Sequence, residues 1–329
     1  MHGSRAIGPA ISVIIPARDE ERHLGEAIGS IANQSFIDLE IIVVDNGSTD
    51  GTGRIIDIWS SREPRLRAIR LERPSLNASL CRAVESSRAP FIARIDADDV
   101  AAPARLQIQY ERMVADPDLG LLGTAADFID SEGRVIGFTE PPLSDRDIRG
   151  CLTTGCPFLH SSVMMRRDAY LASGGYRQGL NLAEDYDLWL RMAAVTGMAN
   201  ISDRLVQYRL HSGNVSARRA ARLAISSTCV EAANKARLAG VPEPLIDGTP
   251  LLRKALPILG ISHRDLRLRI HYGAFERWYL TIPLPYSIKR RLRRFAVRLG
   301  FRPIFTWALG ASVLLSAVHK HLVRARRSR

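Results

Sequence analysis

The sequence predicts an α/β fold, a mixed sheet flanked by helices with a helical, basic appendage at the C-terminus. Three observations predict it. Short apolar runs at Ile11–Ile15, Leu39–Val44 and Pro90–Ala93, with a further strand at Leu66–Leu71, alternate with stretches of helical periodicity. Three of those runs stop at polar clusters, namely Pro16–Glu20, Asp45–Asn46 and Asp96–Asp99. The charge is split, because residues 250–329 hold 18 Lys+Arg against 2 Asp+Glu, while residues 1–249 carry a net charge of −4. A basic tail on a faintly acidic body points to the tail as the part that meets a polyanionic surface.

In chain order, Ile11-Ser12-Val13-Ile14-Ile15 reads as a buried strand stopped by Pro16. Ala17 to Glu21 then leads into a helix with Leu24, Ala27, Ile28 and Ile31 on one face. Leu39–Val44 is a second strand, and the strand–helix–strand order implies a parallel pair. It ends in Asp45-Asn46-Gly47-Ser48-Thr49-Asp50-Gly51-Thr52, where the glycines permit a tight turn and Thr49 or Asp50 can cap the next helix. A capped turn explains Ser48, Thr49 and the glycines but leaves Asp45 and Asn46 without a task. In nucleotide sites an acid here accepts hydrogen bonds from a ribose hydroxyl or a base N–H.

After a strand at Leu66–Leu71 and a helix at Leu76–Ser86, the fourth strand delivers Asp96, Asp98 and Asp99 to its carboxyl end, where α/β sheets bind ligands. Three carboxylates in four residues repel one another, and removing one from water without a partner costs roughly several kcal/mol. A hard divalent cation, Mg2+ or Mn2+, resolves this and keeps positions open for phosphate oxygens. The alternative is a solvated acidic loop capping the helix that begins near Pro103. Three polar strand tips together favour a nucleotide-binding half over three independent caps.

The helix from Pro103 runs through Leu106, Ile108, Tyr110 and Met113 to Pro117. Leu119–Gly123 and Ala125–Ile129 read as two strands, and Asp130-Ser131-Glu132-Gly133 turns the chain back into Arg134–Phe138, so strict parallel order breaks. Asp145–Cys151 is a short helix and Pro157–Met165 a strand bearing His160, a residue that in such a place is more often a structural hydrogen-bonder than a catalyst. Asn181–Met192 is a helix with Glu184, Asp185 and Asp187 in its first turn. The helix dipole alone favours acids there, by about 0.3–1 kcal/mol each. A carboxylate turned away from the apolar face of Leu188, Trp189 and Met192 can instead act as a general base. Val206–Ser216 ends a strand at His211 and a loop, and His211 either closes over a bound metal or phosphate or faces solvent.

Together these motifs resemble the family 2 glycosyltransferases, the large inverting group with the Rossmann-like GT-A fold. The match rests on Val13–Glu20, Val43–Thr52, Ala93–Asp99 and Ala183–Trp189, in order and approximate spacing, and spans about residues 10–216. The resemblance implies a nucleotide-sugar donor held by Pro16, Ala17, Arg18, Glu20 and Asp45, with Asp96 near the ribose. It implies a metal ion on Asp98, helped by Asp96, Asp99 and His211, and Asp185 as the base that deprotonates the acceptor hydroxyl; a membrane-associating tail would fit a carbohydrate or lipid-linked acceptor of the cell envelope. Glu184 and His160 are supporting candidates. Two departures stand out: Asn46 where relatives often carry a second Asp, and Asn77-Ala78-Ser79 where they often carry a glycine. The Gln-x-x-Arg-Trp signature of processive synthases is absent, so transfer of single sugars is expected.

The expected layout is a glycosyltransferase domain over 1–216 (nucleotide-binding half 10–118, acceptor half 119–216), a helical extension over 217–284 and a membrane-associating tail over 285–329. In that tail Ile288, Leu292, Phe295, Ala296 and Leu299 share a helical face beside Arg290, Arg291, Arg294 and Arg298, a pattern suited to an anionic bilayer surface. The uncharged run Ile304–Val318 is 15 residues, short of the roughly 20 needed to span. No nucleic-acid reader motif accompanies the basic tail, so nucleic acid is not an expected partner. Cys81, Cys151, Cys156 and Cys229 lack zinc or disulfide spacing, and Met1–Ala10 has no apolar signal region. The expected location is cytoplasmic, peripheral on the inner face of the cell membrane. Two other functions use a nucleotide fold with an acidic site. A sugar nucleotidyltransferase usually needs a Gly-rich basic loop after the first strand, whereas Pro16–Glu21 is acidic and glycine-free; a non-catalytic nucleotide-sugar sensor would bind without turnover.

Overall fold

The computed structural model describes residues 8–153, 155–180, 182–210, 220–246, 249–250 and 252–267. His211 and the tail 285–329 lie outside the described residues. The first half runs β1 (Ile11–Ala17), α1 (Leu24–Ala32), β2 (Leu39–Asp45), α2 (Thr52–Arg62), β3 (Leu66–Arg70), α3 (Leu76–Ser86), β4 (Phe91–Arg94), β5 (Val100–Ala101) and α4 (Arg105–Ala115). The second half runs β6 (Leu119–Ile129), β7 (Val135–Phe138), α5 (Asp145–Leu152), a 3-10 turn (His160–Ser162), β8 (Met164–Arg166), α6 (Arg167–Ala172), α7 (Glu184–Met192) and β9 (Gly197–Arg209). Then come α8 (Ala220–Leu238), a two-residue hairpin pair β10 (Leu245–Ile246) and β11 (Thr249–Pro250), and α9 (Leu252–Leu259).

The main sheet has the order β3-β2-β1-β4-β8-β6-β9-β5, with β7 paired to β6. β3, β2, β1 and β4 are mutually parallel, so their carboxyl ends share one edge, and Ala17 lies in register with Asp45. β8 runs antiparallel to both β4 and β6, and β6 and β9 are parallel again, which makes the sheet mixed. Ile95–Asp99 therefore leaves the centre of the sheet and delivers the chain to β5, which pairs with β9 at its far end.

Period-two alternation divides the strands between two cores. Val13, Ile15, Ile41, Val43 and Ala93 face α1, α2 and α4, whereas Ile14, Ile42, Val44 and Ile92 face α3, α5 and α7. On α1 the buried residues are Leu24, Ala27, Ile28 and Ile31, the face that the periodicity predicted. Each such Leu or Ile contributes about 1.5–3 kcal/mol by leaving water.

Two expected elements differ. Leu119–Ile129 is one strand, because the Gly123-Thr124 interruption is absorbed as register shifts around Ala125 against β9 and not as a turn. Gly123 is needed there, since a Cβ would fall 2.1 Å from Asn200 Oδ1 and 2.8 Å from Phe158. Pro157–Met165 is a strand only from Met164; His160–Ser162 coils into the 3-10 turn. The serines explain the difference, because the Ser162 hydroxyl donates to Leu159 O (2.9 Å) and Ser161 Oγ accepts the Asp96 N–H (2.9 Å), replacing ladder bonds with side-chain ones.

Candidate active site

The site is built at the carboxyl edge. Arg94 closes β4 and Asp96 follows two residues later, on the same side of a chain that is still extended. Arg94 is buried, and its two Nη atoms fork onto the two carboxylate oxygens of Asp96, one of them at 2.7 Å. Ser161 Oγ donates to Asp96 Oδ2 at 3.0 Å and also accepts from Arg94 Nη1 at 3.1 Å. Beneath them Arg105, also buried, donates from Nη2 to the carbonyls of Arg94 (2.8 Å) and Val163 (3.2 Å), and burial pulls its pKa down to about 9.

Asp96, Asp98 and Asp99 each bring a carboxylate oxygen to within 4.8 Å of the others. Asp99 is fully buried; its Oδ1 accepts the Arg209 N–H at 2.8 Å, and its Oδ2 has no hydrogen-bond partner among the described residues. Burial, then repulsion by Asp98 and Asp96, holds the Asp99 carboxyl well above the usual range. The Arg209 side chain clamps the loop, donating to Asp98 O (2.9 Å) and to Glu26 Oε2 (2.7 Å). A set of hard oxygens, one of them buried and unsatisfied, fits a divalent cation.

The tips of β1 and β2 are stapled to one another. Asn46 N–H donates to Ala17 O (2.8 Å), Thr49 N–H to Asp19 Oδ1 (2.8 Å), Glu20 N–H to Thr52 Oγ1 (2.7 Å) and Gly51 N–H to Glu21 Oε2 (2.8 Å). Asp19 adopts a left-handed φ of 52° to do this, which costs of order 1 kcal/mol and is offset by those bonds. Asp45 is buried and accepts Ser48 N–H at 3.0 Å, and Asn46 Oδ1 accepts the Ser75 N–H at 2.6 Å. Asn46 thus has a structural task, tying β2 to the cap of α3, which the sequence left unassigned.

Opposite this edge, α7 begins at Ala183, whose φ of 62° is left-handed in a non-glycine residue. The three acids of its first turn part company. Asp187 turns inward to Arg191 (2.7 Å) and Arg177 (3.4 Å). Glu184 is buried, and its pKa is pushed up to about 8 by burial and then by Asp185. Asp185 accepts the Tyr186 N–H at 2.8 Å, lies 3.9 Å from Cys156 Sγ, and is likewise raised by burial. The 3-10 turn joins the β4 tip to α7, since Ser161 bonds to Asp96 and the adjacent His160 packs edge-on to Trp189.

The model of glycosyl transferase family 2 matches residues 12–174. The O-antigen biosynthesis glycosyltransferase WbnJ of Escherichia coli is 32% identical over 206 residues, covering 61% of this chain and 80% of WbnJ. The chain belongs to glycosyl transferase family 2. Solved structures agree on a GT-A fold. S. aureus TarS 1-349 in complex with UDP-GlcNAc superposes with a TM-score of 0.55 at 16% identity, covering 81% of each chain. The mannosyltransferase PcManGT from Pyrobaculum calidifontis, in complex with GDP-Man and Mn2+, gives 0.54 at 19% identity, covering 96% of this chain and 88% of that one.

In this family 2 glycosyltransferase, Pro16, Ala17 and Asp45 are buried at adjacent strand ends, Glu20 is half-buried and Arg18 is exposed. Asp96, Asp98, Asp99, Glu184 and Asp185 converge. His160 does not join them as a titrating group: its Nε2 lies 2.8 Å from Tyr176 Oη, its ring packs edge-on to Trp189, and burial followed by Arg94 keeps its pKa well below the usual value. Sequence reasoning missed Arg94, Ser161, Arg105 and Arg209. Only Arg94 carried a signal, because Arg-Ile-Asp places cation and acid on one side of a strand.

Proposed function

We propose that this glycosyltransferase is metal-dependent and inverting, moving a sugar from a nucleoside diphosphate sugar to a hydroxyl of a carbohydrate or lipid-linked acceptor. The observation that carries the reading is the pairing of two acid sets: three carboxylates within 4.8 Å at the β4 tip, and Glu184 and Asp185 on α7, which the His160–Ser162 turn joins to that tip through Ser161–Asp96 and His160–Trp189.

Asp98, with Asp96 and Asp99, would hold Mg2+ or Mn2+, and His211 is a further candidate ligand. When bound, the ion supplies positive charge that stabilises the departing diphosphate. The backbone of Pro16–Glu20 and the Asp45 carboxylate hold the nucleoside, and Asp96 reaches the ribose. Asp185 takes the proton of the acceptor hydroxyl as its oxygen attacks the anomeric carbon and the bond to diphosphate breaks. A raised pKa makes Asp185 a better base near neutral pH. One displacement inverts the anomeric configuration, and no carboxylate nucleophile is required.

The name of WbnJ supports an acceptor in cell-envelope polysaccharide or glycolipid synthesis. Among the described residues no helix is long and apolar enough to cross a membrane. The tail 285–329 would then hold the domain to an anionic inner surface, and vesicle flotation of the chain with and without it tests this. The function itself is tested by a thermal-shift screen of nucleotide sugars with Mn2+, followed by assay of the stabilising donor. Release of nucleoside diphosphate with a new glycoside of inverted configuration is expected. Pyrophosphate release, or binding without turnover, would overturn the reading.

A further inference from the structure

Of six buried side-chain polar atoms without a partner among the described residues, three surround the acid cluster: Arg94 Nε, Asp99 Oδ2 and Arg105 Nη1. Buried polar groups in folded chains are nearly always satisfied, so this concentration asks for an explanation. A buried guanidinium on a central strand is costly, and stability alone is a poor reason to keep one.

We propose that Arg94 is a positioning residue of the donor site, which fixes the Asp96 carboxylate and tempers the hold of the acid cluster on its divalent ion. The inference rests on the metal-dependent reading above. Its geometric part follows from the fork. Both Asp96 oxygens accept from Arg94, Ser161 Oγ bridges the pair, and the Arg94 carbonyl is itself pinned by Arg105. Asp96 therefore has one orientation before any donor arrives. Only a planar bidentate cation does this; a lysine would supply the charge without the fork.

Its electrostatic part follows from distance. A carboxylate oxygen of Asp96 lies within 4.8 Å of those of Asp98 and Asp99, and its charge is offset by a cation that is itself buried. Without Arg94 the cluster would gain one unit of negative potential at a site only a few ångströms away. Such an ion would be gripped too firmly to leave with a diphosphate product.

The test is a Mn2+ titration of the full-length chain at pH 8 without nucleotide, with free ion read by electron paramagnetic resonance. Arg94→Met, which removes the charge, should bind Mn2+ roughly tenfold or more tightly than the unaltered chain. General damage to the fold would move affinity the other way. Arg94→Lys and Ser161→Ala, which keep the charge and disturb the fork, should leave Mn2+ affinity within about threefold while lowering kcat for transfer or donor hydrolysis at little change in acceptor KM. Equal or weaker Mn2+ binding by a folded Arg94→Met overturns the electrostatic part. Should that variant fail to fold, unchanged kcat in both Arg94→Lys and Ser161→Ala overturns the proposal. No Mn2+ binding by the unaltered chain overturns the metal-dependent reading, and the inference with it.

Discussion

At the β4 tip, Asp96 sits in the fork of Arg94, and Asp99 accepts an amide from Arg209. At the N-terminus of α7, Glu184 is buried and its neighbour Asp185 half-buried, and no ion pair among those of the described residues includes either one. Burial raises proton affinity in both places, lifting Asp99 and, in spite of the Arg94 fork, Asp96 at the first and Glu184 and Asp185 at the second. What differs is the partner: a guanidinium fork fixes the Asp96 carboxylate, whereas the acids of α7 have no such fork, the arrangement that the proposed base would use. The contrast also separates Asp187 from its neighbours, since the third acid of the same turn is paired with Arg191 and Arg177.

The contrast breaks most visibly at Asp185. Asp185→Asn should lower kcat by roughly 10²–10⁴-fold while Mn2+-dependent donor binding stays intact, as read by single-turnover transfer and calorimetry. Two residues on, Asp187→Ala should do the reverse, destabilising the fold by about 3–5 kcal/mol because it strands the buried Arg191, with denaturant melts as the check. At the other acid set, Asp98→Asn should weaken Mn2+-dependent donor binding by at least the roughly 10- to 100-fold that even outer partners of metal ligands are worth.

Glu184 sharpens the comparison through pH. Its folded pKa of about 8 lies above the ordinary 4.5, so between these values the folded state holds more protons than the unfolded one. Its contribution to stability is thus present below about pH 4.5 and is lost as pH rises toward 8. Glu184→Gln should melt at the same temperature as the unaltered chain near pH 4.5 and higher at pH 8, by about 2–4 °C per kcal/mol recovered. The smallest effect is expected at His160. His160→Phe leaves the Tyr176 hydroxyl unsatisfied at a cost of about 1–3 kcal/mol, and kcat should stay within a few-fold.

The parallel half was legible in the sequence because its signals are local: apolar runs set β1 to β4, and each polar tip adjoins its strand. The Leu24, Ala27, Ile28 and Ile31 face and the Leu76–Ser86 helix emerged from periodicity alone. The mixed half was harder. A bulge at Ala125 looks like a strand end, and an apparent strand at His160 becomes a 3-10 turn in which Ser162 bonds back to Leu159 and Ser161 to Asp96, a partner distant in sequence. The acids of the candidate site were readable as clusters, but what distinguishes them was not. Ser161 reaches Asp96 across 65 residues and Arg209 reaches Asp99 across 110, and spacing along the chain encodes neither contact.

The central claim is that the β4 tip and the α7 terminus serve one site, the first holding a cation with the donor diphosphate and the second taking the acceptor proton. The anomalous scattering of Mn2+ in crystals of the chain grown with a nucleoside diphosphate tests it most directly. One peak within ligand distance of Asp98 is expected, with the Asp185 carboxyl opening onto the same cavity. A peak remote from Asp98, or an Asp185 side chain turned away from the bound diphosphate, would contradict it.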